Sequence, residues 1–469
     1  MYPIKSNETS TAEQPDTHTD CQHSEETHKK KRTFGAVSLL LALITLLGLL
    51  GFCVYAFFSY RAGTLAGSDV RLALGIATGG IVLSALSLLT ALISLFLHRQ
   101  RKGMSVAGAI LSLLLLTACA LGLYAYHYMF GTLTEGERFD RTKLNVVQVD
   151  EDGAILRENE PPATSVSPDE INAFTFDQEI EWEAVSYDDL PEGARALLEG
   201  TQPSGPSYLL NGSNQISNFL LFGLDEIGSS DSIILLSVDN AHRKIKMISI
   251  PRDSYMLIPE WGTYAKLAYP YHSGGAEMSI GTINYNFSLN VRDYIGVDFT
   301  QLAKIIDLVG GVEVDVEQDE LWYLRQRQSD LSAGRCLLQG DAAVIYARIR
   351  GSNASDNEIK RTGRQREVLL SLMNSIKQMA IGEYPTLIRS CLGMCTTSFS
   401  SDELLDIALK AAQGNYTIES YALLENVPYW GGVFGKEQYF YCVYDLHRAS
   451  DWLYRTIYED LYISGYPEE

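Results

Sequence analysis

The sequence predicts an α/β protein in which three transmembrane helices precede an exported three-layer α/β/α domain with a mixed central sheet. Three observations lead to this fold class. Three long uncharged stretches lie in the first third of the 469-residue chain. Short apolar runs typical of strands then alternate with helix-like segments, as expected where helices cover both faces of a sheet. Basic residues flank the uncharged stretches unequally, which predicts how the chain crosses the membrane.

The uncharged stretches cover about residues 33–60, 72–97 and 103–134. Each exceeds the ~20 apolar residues that an α-helix needs to cross a bilayer. The first follows a long polar tail and is too long for a cleavable signal peptide, so we expect all three to stay in the protein. If one of them were a buried core helix instead, the orientation of the following domain would be reversed.

Basic residues set the predicted orientation. Residues 29–32 precede the first span and residues 99–102 separate the second span from the third, whereas the loop between the first two spans carries Arg61 and Arg71. Positively charged loops stay on the cytoplasmic side. We therefore expect a multi-pass protein of the cell membrane with a cytoplasmic N-terminus and with residues 135–469 outside the cell.

The chain divides into four predicted segments. Residues 1–32 are polar and form a disordered cytoplasmic tail, and residues 33–134 hold the three spans. Residues 135–215 are acidic and rich in proline, which indicates a stalk or an accessory subdomain. Residues 216–469 form the main folded domain. The formal net charge of −21 and the lack of a broad basic face argue against a nucleic-acid-binding protein.

Four cysteines lie in the exported part: Cys336, Cys391, Cys395 and Cys442. An even number permits disulfides, with more than one possible connectivity. If a disulfide forms, we expect Cys442 to pair with Cys391 or Cys395, because the strand-like segment around Cys442 should return to the sheet near the preceding helices. No histidine lies near Cys391 and Cys395 at a spacing typical of a zinc site.

Three apolar runs open the main domain, at 218–224, 232–238 and 245–250. We predict that they are strands and that the second and third pair as a hairpin around the turn between them. In that register, residues whose numbers sum to 483 face each other, which places Asp231 opposite Arg252.

Four charged residues then gather at one edge of the predicted sheet: Asp225, Asp231, Arg252 and Asp253. Paired carboxylates at strand ends suit Mg²⁺, which takes one or two carboxylates together with water and substrate phosphates. The alternative is a turn-rich edge where aspartates make local hydrogen bonds. The arginine opposite Asp231 favours a binding site.

Five arginines crowd into nineteen residues further along the chain: Arg348, Arg350, Arg361, Arg364 and Arg366. Guanidinium groups bind phosphate oxygens bidentately, so the cluster indicates a site for a phosphorylated ligand. A solvated, salt-bridged face is the alternative. We predict a strand over 342–350, on which Arg348 and Arg350 point to the same face.

The segment 356–379 is predicted to be a helix. At helical spacing, Arg361 and Gln365 align with the apolar residues Val368 and Leu372, so both should point toward the core. An inward arginine needs an anionic partner, because a buried unpaired charge is very costly. This stripe therefore favours the binding site over the solvated face.

The remaining elements fill out the α/β pattern. We expect a glycine-containing loop at 273–279, helices at 281–289 and 299–309, a strand at 312–316 and an amphipathic helix at 400–412.

Six motifs, taken in this order, resemble those of the LytR-CpsA-Psr family. They are GLD at 223–225, SDSI at 230–233, SIPRDS at 249–254, VGGVEVDV at 309–316, LQGDAAVIYARIR at 338–350 and RTGRQREVL at 361–369. The resemblance covers roughly residues 216–445. Membrane spans ahead of an exported domain are also typical of the family, although a single span is commoner than three.

The resemblance implies a phosphotransferase. Such enzymes take a glycopolymer, for example teichoic acid or a capsule polysaccharide, from a polyprenyl-pyrophosphate carrier and attach it to a sugar hydroxyl of peptidoglycan. Carried over by motif, Asp225 and Asp231 would bind Mg²⁺, and an apolar cavity between sheet and helices would hold the lipid. The pyrophosphate would be bound by Arg252, Lys266, Arg348, Arg350, Arg361, Arg364 and Gln365.

Catalysis in this scheme falls to three residues. Arg252 would stabilise charge as the bond to the carrier breaks, and Asp231 or Asp253 would assist deprotonation of the sugar hydroxyl. Phosphoryl transfer depends mostly on positioning and electrostatic stabilisation, which agrees with a site built from arginines and a metal.

The chain departs from the family pattern at two places. Ser229 stands where the family commonly has an arginine, and Leu267 and Ala268 replace the usual asparagine after Lys266. A lost charge-assisted contact is worth roughly 1.5–3 kcal/mol, but several guanidinium groups remain.

Two other functions stay open. One is a non-catalytic polyprenyl-phosphate binder that signals through the spans, which Ser229 favours. The other is a hydrolase, in which water attacks the same phosphorus in place of a sugar. The retained Asp225 and Asp231 and the inward arginines favour an enzyme.

Overall fold

The computed structural model describes the membrane helices and most of the following domain. The described residues are 36–56, 67–96, 103–130, 144, 148–156, 185–200, 202–350, 354–379, 393–400 and 416–467, with isolated positions between 383 and 407. They form two compact units, the apolar helices and the chain from residue 129 onward. The described residues do not include the tail 1–32, which contains Cys21, or most of the helix expected at 400–412.

The elements are numbered here in chain order. The strands are β1 (Gln148–Val149), β2 (Ile155–Leu156), β3 (Tyr208–Leu209), β4 (Ile216–Leu224), β5 (Ser230–Asp239), β6 (Lys244–Ile250), β7 (Tyr255–Ile258), β8 (Thr263–Lys266), β9 (Asp293–Asp298), β10 (Val312–Val316), β11 (Gly334–Leu338), β12 (Thr396–Thr397), β13 (Thr417–Ala422), β14 (Tyr429–Phe434), β15 (Tyr439–Tyr444) and β16 (Tyr462–Ile463). The helices are α1 (Ala36–Ala56), α2 (Gly67–Phe96), α3 (Gly103–Phe130), α4 (Glu192–Leu198), α5 (Tyr269–Phe287), α6 (Phe299–Leu308), α7 (Leu321–Leu324), α8 (Gly340–Arg348), α9 (Ala354–Gln378), α10 (Leu423–Asn426) and α11 (Leu446–Tyr458).

Helices α1, α2 and α3 are each long and apolar enough to cross a membrane, as the sequence predicted. Serine side chains connect them. The Ser87 hydroxyl lies 2.6 Å from that of Ser112 and donates to the Ser38 carbonyl at 2.7 Å. Small residues allow such close approach between membrane helices, and the hydroxyls add interhelical hydrogen bonds.

The central sheet of the second unit has six strands in the order β12-β9-β4-β5-β6-β13. Strands β4, β5 and β6 are antiparallel, while β9 joins β4 and β13 joins β6 in parallel. The sheet is therefore mixed, as predicted. In the β5–β6 hairpin Ile233 faces Ile250, so paired residue numbers sum to 483 and the predicted register is confirmed.

Alternating side chains of the sheet enter two separate cores. Leu220 and Leu235 lie on one face with Ile283 of α5 and Leu453 of α11. On the opposite face, neighbouring strand residues such as Phe219, Ile234 and Met247 pack against Leu369 and Met373 of α9. Helices cover both faces, which confirms the three-layer α/β/α architecture.

A smaller lobe is built beside the sheet from the β10–β11 hairpin and helices α6 and α8. Val314, Leu338, Ile306 and Tyr346 form its core together with Val368 of α9. At the start of α8, a Cβ on Gly340 would lie only 2.1 Å from the Ala303 carbonyl oxygen of α6. The two helices are thus packed in backbone contact at this point.

The strand predicted over 342–350 is wrong. Helix α8 occupies Gly340–Arg348, and it buries Ala343 and Tyr346 against the lobe. A short apolar run cannot be assigned to strand or helix by periodicity alone, and the lobe supplies the packing surface that favours the helix. Arg348 and Arg350 consequently follow each other at a helix end and do not share a strand face.

The loop predicted at 273–279 is also wrong. These residues belong to α5, which runs through a kink at Gly274 and Gly275. Gly275 has φ 64° and ψ −159°, a conformation that essentially only glycine adopts. The glycines therefore bend a helix instead of ending one. The helix predicted at 281–289 is the second part of α5, and the helix and strand predicted at 299–309 and 312–316 are α6 and β10.

The described residues ahead of β4 pack onto the main domain. Leu190 and Ala194 share a core with Tyr441, and the Tyr255 hydroxyl donates to the Val185 carbonyl at 2.8 Å. Strand β3 pairs with β16 near the C-terminus. This part of the segment 135–215 therefore belongs to the same compact unit as the domain that follows.

The six cysteines among the described residues are all free, so the pairing considered for Cys442 is absent there. Cys442 lies in the core of the sheet, whereas Cys391 and Cys395 pack against the lobe. The predicted pairing is wrong because these thiols enter different cores. Burial raises the pKa of Cys391 to about 11 and that of Cys395 to about 12, which keeps both thiols protonated.

Candidate active site

Asp225 begins the loop that leaves β4. The register of β4 against β5 shifts at Gly223, and the chain then turns so that Asp225 Oδ1 accepts hydrogen bonds from the backbone N–H groups of Ile227 and Ser229, at 3.1 and 2.8 Å. Asp225 therefore makes the local turn hydrogen bonds that the sequence offered as the alternative to a binding site. Ser229, at the position of the family's arginine, is buried and takes part in this turn through its backbone.

Asp231 and Arg252 form an ion pair across the β5–β6 hairpin, as the register predicted. Both side chains are largely buried, at 11% and 20% exposure. The contact joins Arg252 Nη1 to Asp231 Oδ1, yet Oδ1 accepts no hydrogen bond of ordinary geometry and is shielded from solvent. The contact is thus an electrostatic one between a carboxylate and a guanidinium group.

Arg361 of α9 reaches the same strand end from the next layer. Its Nη1 donates to the Asp231 carbonyl at 2.7 Å, while Nε and Nη2 donate to the Glu358 carboxylate at 3.1 and 2.7 Å. The side chains of Arg361 and Glu358 are 3% and 6% exposed. The inward direction predicted for Arg361 is confirmed, and Glu358 is the anionic partner that a buried arginine requires.

These residues line a cavity of about 300 Å³. Its lining consists of Asp225, Asp231, Arg252, Arg348, Arg350 and Arg361. Four guanidinium groups face two carboxylates, so the cavity lining is positive in a chain whose net charge is −21. Such a cavity attracts a multiply charged anion.

Arg348 stands at the cavity rim, at the C-terminal end of α8. Its guanidinium lies over the Phe299 ring, 4.5 Å from the centroid, and donates to Glu226 at 2.9 Å. The side chains of Arg348 and Glu226 are 39% and 72% exposed. The pKa of Glu226 is held below its usual value by this hydrogen bond, so the carboxylate is ionised at neutral pH.

The positive groups of the cavity influence one another. Burial lowers the pKa of Arg252, and the nearby charges of Arg361 and Arg350 lower it further, against the opposing effect of Asp253. Crowded cations of this kind repel each other in a site of low dielectric constant. An anion bound among them would relieve that repulsion.

Lys266 and Asp253 are not among the residues that line the cavity. Lys266 Nζ donates to Asp253 Oδ1 at 2.8 Å and lies over the rings of Tyr439 and Tyr441, 5.2 Å from each centroid. Burial opposes ionisation of Asp253, but Lys266 and Arg252 outweigh it and hold the pKa of this carboxyl below its usual value. The pair supports Arg252, whose Nε lies 3.7 Å from Asp253 Oδ2.

Arg364 and Gln365 also lie apart from the cavity lining. Arg364 Nε donates to the buried carboxylate of Glu320, and its Nη1 donates to the Ile349 carbonyl at 3.2 Å. Gln365 is buried, as predicted from the helical stripe. Arg364 thus holds α9 against the lobe, and the structure brings six of the predicted site residues together around the cavity.

Three glutamates that partner the arginines were not predicted from the sequence: Glu226, Glu320 and Glu358. For Glu358 a signal was available, because a glutamate three residues before an arginine on a helix is placed to pair with it. Glu226 and Glu320 are more than forty residues from their partners in sequence, and no local pattern identifies such pairs.

A metal ion fits the donor set of the cavity. Among the residues that the structure describes, no group of three histidine, cysteine or acidic side chains is placed to hold one. Asp225 and Asp231 nevertheless bring two carboxylates to the cavity. Mg²⁺ commonly takes one or two carboxylates and completes its shell with water and phosphate oxygens.

Comparison with known proteins identifies the family of this chain. The model described as the LytR_cpsA_psr family matches residues 194–449, more than half of the chain. The polyisoprenyl-teichoic acid–peptidoglycan teichoic acid transferase TagU of Enterococcus faecalis is 25% identical over 231 residues, which cover 48% of this chain and 75% of that protein. TagU of Oceanobacillus iheyensis is 35% identical over 166 residues, or 34% of this chain and 50% of the relative.

Among solved structures, the crystal structure of Bacillus subtilis TagT aligns with 51% of this chain and 91% of its own, at 20% identity and a TM-score of 0.42. The family match carries the assignment, since it covers the strands, the hairpin and the arginine helix that build the cavity. The chain belongs to the LytR-CpsA-Psr family.

Proposed function

We propose that the protein is a phosphotransferase that moves a glycopolymer from a polyprenyl-pyrophosphate carrier to a sugar hydroxyl of peptidoglycan, assisted by Mg²⁺. The observation that carries this proposal is the cavity lined by four arginines and two aspartates. The relatives' names support it, because they describe transfer of teichoic acid from a polyisoprenyl carrier to peptidoglycan. Teichoic acid is thus the first polymer to test, with capsule polysaccharide as the second.

The arginines would bind the two phosphates of the carrier. Arg252 and Arg361 are buried and fixed by acidic partners, so their guanidinium groups need little reorganisation when charge develops on the phosphate oxygens. Arg348 and Arg350 stand at the exposed side of the cavity, where an arriving diphosphate meets them first.

The chemical step is an in-line displacement. The acceptor hydroxyl oxygen forms a bond to the phosphorus next to the glycopolymer, and the bond from that phosphorus to the carrier phosphate oxygen breaks. Asp231 would take the hydroxyl proton; its place in the cavity lining supports this choice over Asp253, which is paired with Lys266 and does not line the cavity. The products are a phosphodiester and a polyprenyl phosphate.

Asp225 and Asp231 are the residues that would hold Mg²⁺. When bound, the ion would supply positive charge to the phosphate oxygens. The residues of the chain perform the rest, since the arginines orient the diphosphate and Asp231 accepts the proton.

An assay with purified full-length protein tests the proposal. The donor is a polyprenyl-pyrophosphate-linked saccharide and the acceptor is peptidoglycan, and mass spectrometry follows the new phosphodiester. Transfer that requires both acceptor and Mg²⁺ is the expected result. Release of phosphorylated saccharide without acceptor would instead identify a hydrolase, and tight donor binding with no product would identify a non-catalytic binder.

We also propose that the domain lies outside the cell, as the basic residues 29–32 and 99–102 predict. Alkaline phosphatase is active only when exported. Fusion after residue 140 should give an active enzyme and fusion near Lys102 an inactive one. The opposite pattern would place the cavity in the cytoplasm, away from peptidoglycan, and would remove the proposed function.

A further inference from the structure

Trp322 is the most exposed large apolar side chain in the described part of the second unit, at 69%, and its neighbour Tyr323 is 39% exposed. Single exposed apolar residues are ordinary. Here, however, two aromatic rings lie edge to face, with centroids 4.9 Å apart and planes at 85°. The rings restrict each other while most of the Trp322 surface stays in contact with solvent.

The short helix that carries these rings is held rigidly. Leu321 and Leu324 of α7 are buried at 3% and 0% exposure in the core of the lobe. Directly after the helix, the Arg325 guanidinium donates twice to the Leu331 carbonyl, at 3.0 and 2.8 Å. The backbone under the rings is thus ordered before any partner arrives, which lowers the entropic cost of binding.

A chain of contacts joins this helix to the anion cavity. Glu320, immediately before α7, accepts a hydrogen bond from Arg364, which donates in turn to the Ile349 carbonyl. Ile349 lies between Arg348 and Arg350, and both of these line the cavity. Hydrogen bonds therefore connect the residue before α7 to the backbone segment that carries two cavity residues.

The surroundings of the rings identify the kind of partner. Exposed side chains with planar hydrogen-bonding groups flank them, namely Gln318, Asp319, Gln326 and Arg327. An aromatic face is electron-rich, and it stacks against the apolar C–H face of a pyranose ring. Amide, carboxylate and guanidinium groups then pair with the ring hydroxyls. Two rings among polar side chains give little apolar area for insertion into lipid.

We infer that Trp322 and Tyr323 form a subsite for pyranose rings of the peptidoglycan glycan chain, on the same domain as the proposed transfer site. The inference rests on the proposed function for the role of that sugar as acceptor. The binding of the saccharide itself is independent of catalysis and is measured separately.

The test uses full-length protein in nanodiscs and two probes, a β-1,4-linked N-acetylglucosamine tetrasaccharide and inorganic pyrophosphate. Calorimetry gives the affinity for each. Trp322→Ala should weaken saccharide binding at least about tenfold, the scale of roughly 1.4 kcal/mol, and should leave pyrophosphate binding unchanged. Trp322→Tyr, which keeps an aromatic face, should retain most of the affinity. Val433→Ala, at an exposed apolar position on β14, is the matched control and should bind like the wild type.

Each outcome of these measurements either supports or overturns the saccharide subsite. Saccharide binding that is equal in wild type and Trp322→Ala, or absent from both, overturns the inference even where pyrophosphate still binds. Quenching of fluorescence by brominated lipids that disappears in Trp322→Ala also overturns it, because the side chain then faces the membrane. Saccharide binding that depends on Trp322 in a protein without pyrophosphate affinity supports the subsite and removes the proposed transferase function.

Discussion

Helix α9 brings arginines to two regions that differ in what faces them. At the cavity, Arg361 joins three further guanidinium groups around only two carboxylates. Below it, Arg364 is paired with the buried Glu320 and the Ile349 carbonyl. The residues that line the cavity therefore carry more positive than negative groups, although Glu358 and Glu226 pair with Arg361 and Arg348. The other region is balanced internally and lines no cavity.

Arg366 belongs with the balanced region. Its Nε donates to Ser420 at 2.9 Å and its Nη2 lies 3.6 Å from Glu425. Burial lowers the pKa of Arg366, and the Glu425 carboxylate opposes that effect. The arginine motif thus serves two purposes, since one residue contributes to the cavity while its neighbours attach the helix to the lobe and to the sheet.

The largest effect should come from breaking the balanced region. Arg364→Ala leaves Glu320 buried without its cation, and breaking such a pair typically costs about 3–5 kcal/mol. We expect that loss in the free energy of unfolding, measured in denaturant. Pyrophosphate affinity of the remaining folded protein should stay near that of the wild type.

Arg350→Ala is the matched control from the cavity. Arg350 is exposed, so its loss should leave the free energy of unfolding unchanged and weaken pyrophosphate binding by about one charge-assisted contact. If Arg364→Ala unfolded no more easily than Arg350→Ala, the distinction between the two regions would fail.

The next largest effect concerns catalysis. Asp231→Ala and Arg252→Ala should each lower transfer by at least about a hundredfold, the scale for loss of one electrostatic stabiliser. Both proteins should remain folded, because these residues lie at strand ends, and circular dichroism checks this. Near wild-type transfer by either folded variant, with a metal chelator present, would contradict the mechanism and favour the binder.

Acid stability should report on Asp253. The pKa of Asp253 is lower in the folded protein than in the unfolded chain, where it is about 3.9. Ionised Asp253 therefore stabilises the fold above the unfolded-state pKa. This stabilisation is lost as the pH falls through the folded-state pKa. Asp253→Asn should be less stable at neutral pH and lose less stability below about pH 4. Parallel acid-unfolding curves for variant and wild type would show that the Lys266 pair contributes nothing.

The smallest effect is expected at the rim. Glu226 forms an ion pair with Arg348. The pair is exposed, and exposed ion pairs contribute roughly 0–1 kcal/mol to stability. Glu226→Gln should raise pyrophosphate affinity about two- to threefold at low ionic strength. The gain should vanish in high salt, because salt screens exposed charges. A loss of affinity in Glu226→Gln would show that the carboxylate assists binding.

The sequence predicted the parts of the fold that depend on local pattern. The β5–β6 register followed from strand lengths and the turn between them, and it placed Arg252 against Asp231 correctly. The inward direction of Arg361 followed from helical spacing. In both cases the geometry of one element, or of two adjacent ones, fixes the result.

The errors arose where the packing partner is distant in sequence. Residues 342–350 alternate well enough for a strand, yet the lobe buries them as helix α8. Arg364 was assigned to the ligand because nothing nearby in sequence reveals Glu320, forty-four residues away. Whether an arginine is available to a ligand depends on such partners, which spacing along the chain does not disclose.

Gly340 shows that contacts between distant segments also limit which substitutions a position outside the cavity can accept. A Cβ at this position would meet the Ala303 carbonyl oxygen at 2.1 Å, so even an alanine forces α6 and α8 apart. Helix α8 ends at Arg348, so any such displacement also moves a cavity residue at the other end of the helix. In a library of random variants selected for transfer, we expect position 340 to return glycine alone, although no atom of Gly340 lines the cavity.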